Sequence, residues 1–504
     1  MAFDFKIALC WLPHMGDQSF PCLFNSDLDD ALIDSYQRYL PQVKEAGFDW
    51  IRIEGVFGEN GPGQMPADLD RGFSPQRERQ IRLMLDLVHE AGLKYLHCLP
   101  VFSAGFSNIM ARHPQTRGRR YRFRGLGSRW AADHTMRHNA DLIDLYDDLE
   151  EEELPFDPNA RGSLNRPRLK TLPRDDVMCG SSPQAWDWQQ RVIRFLIDRY
   201  EIDGFDQHAA DVGRCMCPQC RRIDNLSYHA HNMKRVTQFI RSIAPNTIIG
   251  ATTFGARIDG LRTLPAIQEM AHGVDYFIDP TSQHLIDVVM LRQPSGPAKV
   301  LINDRPKVIE ALGPVAYGPV LHARESGLER HRWMTPCPRI LCEAIAQAHR
   351  DGCRAVEYYA IGAFANAGSE LNHYVTGHAL HHCDEPWRQT LEEVVGRLYR
   401  PRSSAARRGL ADLFSELEIS CLYNDVQFNM LDPTDRRPIP CLVETSVFQL
   451  LRHERELGKY LEHARTLKSD IGDEQRAQKL LRCLKGAQDT VATEAQRRID
   501  EDDE

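Results

Sequence analysis

The sequence predicts an α/β fold: a TIM (β/α)8 barrel with a long insertion after strand three and a C-terminal helical extension. Three observations carry this. Eight short apolar runs rich in Ile, Val, Tyr and Phe recur over the first 385 residues. Each is followed by a connection long enough for a crossover, which permits parallel pairing. The runs show little polar alternation, as expected of strands buried on both faces. Eight βα units fit a closed barrel. A doubly wound open sheet is the competing layout, but no G-x-G-x-x-G follows the first run, so dinucleotide binding is unsupported.

The elements read in order. KIALCWLP (6–13) is the first strand, and the helix at 29–47 closes on Gly47. FDWIRIEGVF (48–57) is the second strand, followed by a helix at 78–92. LKYLHCLPVF (93–102) is the third. A polar stretch, 103–181, interrupts the alternation as an insertion, and its acidic run Asp147–Glu153 reads as a solvated face. A helix at 182–200 leads to the fourth strand, IDGFDQH (202–208), and a helix over 218–244. TIIGATTF (247–254), VDYFIDP (274–280), KVLINDRP (299–306) and RAVEYYAIG (354–362) complete the eight. Helical patterns occupy 260–272, 282–292 and 338–351, while 307–337 reads as an irregular connection. The barrel domain is therefore assigned to 1–385. Residues 386–504 form a helical region, with helices over 386–424 and 445–498.

Composition narrows the function. The 504 residues are 42% hydrophobic and 26% charged, the balance of a globular protein. Net charge is −9, which disfavours a polyanionic partner, so no nucleic-acid binding is expected. No apolar stretch approaches membrane-spanning length, and the N-terminus lacks a secretory pattern. Without a signal, the 14 cysteines read as reduced thiols plus a metal site in a cytoplasmic protein. Oligomeric state is left open, with the C-terminal helices as a candidate homo-oligomer interface.

Barrel enzymes carry their chemistry at the C-terminal ends of strands. That rule selects Glu54 and Glu59, Asp206 and His208, Asp279, the Asn303–Asp304–Arg305 run and Glu357. Carboxylates dominate, and aromatic residues (Trp11, Phe57, Phe102, Phe205, Tyr276, Tyr358, Tyr359) accompany them. Two carboxyls and aromatic stacking faces are what glycosidic cleavage uses. Asp206 is the expected nucleophile or base, and Asp203, on the opposite strand face, a structural partner. Glu357 is the first choice of acid, with Glu54 and Asp304 behind it. His208, Arg305, Tyr358 and Trp11 are the expected substrate-binding groups of a carbohydrate-active enzyme.

Cys215, Cys217 and Cys220 form a C-x-C-x-x-C run, a spacing suited to tetrahedral soft-metal ligation. Cys179 is the best candidate for a fourth ligand. Four thiolates leave no open position, so the metal, a zinc, would be structural and brace the loops after strands three and four. An iron–sulfur cluster is the lesser alternative.

The segment Cys179-Gly180-Ser181-Ser182-Pro183-Gln184-Ala185-Trp186 resembles the Cys-x-x-Ser-Pro-x-aromatic segment of glycoside hydrolase family 42 β-galactosidases. In that family this cysteine joins a later C-x-C-x-x-C in binding zinc, and here Cys215, Cys217 and Cys220 match it. KEAGFDWIRIEGVFGENGP resembles the family's second strand, and ILCEAIAQAHRDGCRAVEYYAIGAF its final helix and strand. The resemblance spans about 30–365 and implies a TIM-barrel glycosidase with a structural zinc. Two departures stand out. The family's Asn-Glu acid/base pair is replaced by Asp206-Gln207-His208, and its strand-seven glutamate by LINDRP. The Asp203-Gly204-Phe205-Asp206 strand is more similar to a hypothetical glycosyl hydrolase group on the same barrel. Two other readings remain beside this one: a non-catalytic carbohydrate-binding barrel, and a metal-dependent barrel hydrolase using His14, His97 and His208.

Overall fold

The computed structural model describes residues 3–11, 28–57, 65–66, 68–102, 114–122, 170–208, 214–252, 260–279, 297–321, 336–360, 363–364, 366–423 and 446–502. Its strands are β1 (Phe5–Trp11), β2 (Trp50–Glu54), β3 (Lys94–Pro100), β4 (Arg117–Arg122), β5 (Lys170–Met178), β6 (Gly204–His208), β7 (Ile248–Thr252), β8 (Tyr276–Asp279), β9 (Ala316–Leu321) and β10 (Ala355–Tyr359). Eight of them close into one parallel barrel in the order β1-β10-β9-β8-β7-β6-β3-β2. The remaining two, β4 and β5, form an antiparallel pair inside the insertion. Residues 123–169, with the acidic run, lie outside the described residues, as does the 282–292 helical pattern.

Helices α1 (Asp30–Ala46), α2 (Pro75–Glu90), α3 (Pro183–Arg199), α4 (Asn225–Ile243), α5 (Leu264–Met270), α6 (Pro297–Leu312) and α7 (Pro338–Arg350) are the crossovers. Their starts follow sequence chemistry. Asp29, Ser74, Ser182 and Asp224 each accept a backbone N–H of the first turn, satisfying an otherwise unpaired donor. Apolar side chains such as Tyr36, Val88, Ile193 and Ile240 fill the layer between helices and barrel. A second, smaller core fills the barrel itself, with Ile7, Leu9, Trp50, Leu96, Tyr276, Ile278, Val320 and Tyr359 among its members.

The seventh strand differs from the sequence reading. KVLINDRP lies in α6, and β9 is AYGPVL, inside the stretch that reads as irregular. Arg305, Val308 and Leu312 are buried at helical spacing, so one face of α6 covers the barrel. In β9 the Gly-Pro pair imitates a turn signal, yet all six residues are buried. Gly318 is required by packing, because a Cβ there would collide with the carbonyl of Ala355 on β10.

Beyond β10 the chain continues as α8 (Ala367–Ala379), α9 (Trp387–Tyr399), α10 (Ser404–Tyr423), α11 (Val447–Leu467) and α12 (Glu474–Asp502). The sequence reading omits α8, which is buried on nearly every side and so carries no amphipathic stripe. It also merges α9 with α10, which separate where Arg400 adopts a left-handed conformation (φ 48°). The extension is tied to the barrel through Glu370 of α8, which accepts from Arg476 Nε at 2.8 Å and Lys479 Nζ at 3.0 Å. Among the described residues no helix is long and apolar enough to cross a membrane.

Candidate active site

Side-chain alternation sets the inside of the barrel. Arg52 on β2, Asp206 on β6, Ile278 on β8 and Glu357 on β10 come from alternate strands of the ring and are fully buried or nearly so. Four side chains from alternate strands are how a TIM barrel fills one interior layer. In this layer three of the four are ionisable. Arg52 Nη1 donates to Glu357 Oε2 at 2.9 Å and also to Asp206 Oδ2, while its Nη2 donates to Glu54 Oε1 at 2.8 Å. One guanidinium therefore gathers three carboxylates from three strands.

The layer beneath makes room for a ring. Tyr276 lies across Gly250 of the neighbouring strand, where a Cβ would fall within the phenol ring. Asp206 Oδ1, Glu357 Oε1, Thr252 Oγ1 and the Tyr276 hydroxyl are buried without a hydrogen-bond partner among the described residues. Buried polar atoms in a purely structural network are almost always paired. Of this cluster, Asp206 and Glu357 each have one oxygen held by Arg52.

The electrostatics separate the carboxyls. Burial pushes the Glu357 carboxyl up to about 8; Arg52 opposes this, and Asp206 and Glu54 add to it. Glu357 thus keeps its proton at neutral pH. For Arg52, burial works against the charge, but Glu357 and Asp206 more than reverse it and hold the guanidinium ionised. Both carboxyls accept from one nitrogen, which places their oxygens within about 6 Å of each other.

Toward the C-terminal strand ends, Glu54, Cys98 and His208 come from the three adjacent strands β2, β3 and β6. Their side chains are partly exposed, Glu54 at 18%. Cys98 Sγ lies 3.7 Å from His208 Nδ1. Trp11 ends β1 in register with Glu54.

The structure corrects several sequence-level candidates. Asp304 and Arg305 sit on α6, outside the barrel: Asp304 faces Lys307 at 4.0 Å, and Arg305 is buried in an ion pair with Asp351 at 2.9 Å. Neither reaches the site, because the strand they were expected to end is a helix. Tyr358 points outward, stacked on Phe48 with ring centroids 6.0 Å apart, as it must when its neighbour Glu357 points inward. Asp279 also faces out and accepts from Tyr317 at 2.7 Å. His97 is buried against Phe57 and Phe205 behind the barrel wall, so the three-histidine metal reading is not assembled. Glu59 and His14 lie outside the described residues. Asp203 accepts from the Tyr95 N–H at 2.8 Å, an anchoring contact between strands. The sequence reading missed Arg52 and Cys98. The signal for Arg52 was present: a charged residue two before Glu54 in an otherwise apolar strand shares its face.

A separate cluster of cysteines lies outside the barrel interior. The sulfurs of Cys179, Cys215, Cys217 and Cys220 all lie within 4.8 Å of one another. Cys179 Sγ is 3.8 Å from Cys217 Sγ and 3.7 Å from Cys220 Sγ. Four thiolates about 2.3 Å from one zinc stand about 3.8 Å apart at tetrahedral geometry. The donor set therefore fits such an ion. Cys179 directly follows β5, and its N–H donates to Thr116 O at 2.9 Å. The cluster thus joins the insertion to the loop after β6. Hydrogen bonding lowers two of the thiols, Cys217 to about 6 through Cys215 and Cys220 to about 2 through Cys179.

No family model matches the chain, and no curated protein matches it. Solved structures to which the chain is similar include glycoside hydrolases. One is an O-GlcNAc hydrolase from Thermobaculum terrenum, 9% identical with a TM-score of 0.48, covering 97% of this chain and 83% of that one. Another is an α-amylase from Anoxybacillus, 12% identical, TM-score 0.41, covering 82% and 79%. A third is a maltogenic α-amylase from Thermotoga neapolitana, 12% identical, TM-score 0.38, covering 70% and 66%.

Proposed function

We propose that this protein is a glycoside hydrolase that works through two carboxyls, Asp206 and Glu357. The observation that carries the reading is the half-satisfied cluster on Arg52. One carboxyl is held protonated near neutral pH, a second sits on a guanidinium, and each keeps one oxygen without a partner among the described residues. A hydroxyl-rich substrate offers the partners these atoms lack. The short separation of the pair favours retention over inversion.

In this scheme the Glu357 carboxyl gives its proton to the leaving glycosidic oxygen. An oxygen of Asp206 bonds to the anomeric carbon as the C–O bond to the leaving group breaks. Water then attacks the glycosyl ester, Glu357 takes its proton, and Asp206 is released as carboxylate. Arg52 holds both carboxyls in place, and Glu54 links them to the mouth of the barrel. The likeness to family 42 enters through the cysteine cluster, for which we propose a structural zinc. Such an ion would fix the insertion against the loop after β6 and supply no chemistry.

One observation favours a second reading, a non-catalytic sugar-binding barrel: Arg52, Asp206 and Glu357 have no solvent exposure. A panel of α- and β-aryl glycosides assayed with wild type, Asp206→Asn and Glu357→Gln separates the two. The enzyme reading expects turnover of at least one substrate, reduced by a factor of about 100 or more in both variants with folding intact. Binding without turnover by any preparation supports the second reading.

A further inference from the structure

We infer that Glu54, Cys98 and His208 form a second metal site, at the mouth of the barrel, for a borderline-soft divalent cation of the zinc or cobalt class. The inference goes beyond the glycosidase reading and does not depend on it. Glu54 and His208 end β2 and β6, and Cys98 lies two residues before the end of β3 between them, so the parallel ladder sets their spacing. One ligand atom from each lies within 4.8 Å of the other two, and Cys98 Sγ is 3.7 Å from His208 Nδ1. A zinc ion at ordinary bond lengths to sulfur and nitrogen sets those two atoms about 3.6 Å apart. The approach is therefore close to what a shared ion demands.

The donor set is selective. Thiolate and imidazole together favour zinc or cobalt over magnesium or calcium, which take oxygen ligands. The surrounding charge is favourable as well. Glu54 and Asp206 bring two carboxylates to a single guanidinium, leaving a net negative field in a low-dielectric interior. Arg52 donates to Glu54 Oε1, and Glu54 also hydrogen-bonds with the Cys98 thiol, so carboxylate and sulfur already converge on one point. The mouth site differs from the four-cysteine cluster in kind. Three protein ligands leave a coordination position for water or a substrate hydroxyl, whereas four thiolates close the shell.

The test is zinc content per chain of the full-length protein by elemental analysis after equilibrium dialysis against zinc, with no assay of hydrolysis. Cys98→Ser and His208→Asn should each lose one equivalent relative to wild type. Cobalt-loaded wild type minus Cys98→Ser should give the charge-transfer band of a single thiolate. Cys217→Ser should leave that difference band in place, because it touches only the other cluster. Unchanged zinc content in both Cys98→Ser and His208→Asn overturns the inference. Using two variants guards against one that fails to fold.

Discussion

The cysteine cluster and the charged barrel layer solve opposite problems. Cys179, Cys215, Cys217 and Cys220 lie at the periphery, three of them within six residues, and the separations measured among them match a closed tetrahedron. Arg52, Asp206 and Glu357 come from three strands across 306 residues of chain and leave several buried polar atoms without a partner among the described residues. The first arrangement suits a brace, which needs every ligand. The second suits a site in which a substrate completes what the protein leaves open. Local spacing announces the brace, whereas only closure of the barrel assembles the layer.

The comparison breaks most visibly at Arg52. Arg52→Met leaves two buried carboxyls without a cation, so stability should drop by about 3–5 kcal/mol. A denaturant midpoint measured at neutral pH reads this. Cys215→Ser should cost less overall, because the cluster ties down a peripheral segment. Limited proteolysis should cut near 170–182 while the barrel core stays protected from hydrogen exchange.

The smallest effect is a slope. Glu357 holds its proton up to about 8, against an ordinary value of 4.5. The native chain therefore binds a proton that the unfolded chain has released. That contribution is complete below 4.5 and is lost as pH rises through 8. Stability should decline across this window, and Glu357→Gln should flatten the decline. Glu418, pushed up to about 7 mainly by burial, acts in the same direction and remains in the variant, so the difference between the two curves isolates Glu357.

Much of this was legible from residue order. Seven of the strands announced themselves as apolar runs, and the cysteine spacing stood out because Cys215, Cys217 and Cys220 are neighbours in sequence. Asp206 and Glu357 were selected by their place near strand ends. What failed did so for physical reasons. β9 hides behind Gly318 and Pro319, which resemble a turn, while Val300, Leu301 and Ile302 in α6 imitate a strand. Placing Asp304 and Arg305 at the site inherited that error. Tyr358 failed on parity, since adjacent strand residues cannot both face inward. Depth was also illegible: Asp206 and Glu357 lie below Glu54 and His208 within the barrel, a matter of strand stagger that no local pattern records.

The most direct measurement is azide rescue of Asp206→Asn on the aryl glycoside that the wild type turns over. If Asp206 forms the bond to the anomeric carbon, azide restores turnover and yields a glycosyl azide of inverted configuration. Unimpaired hydrolysis by Asp206→Asn without azide would contradict the account.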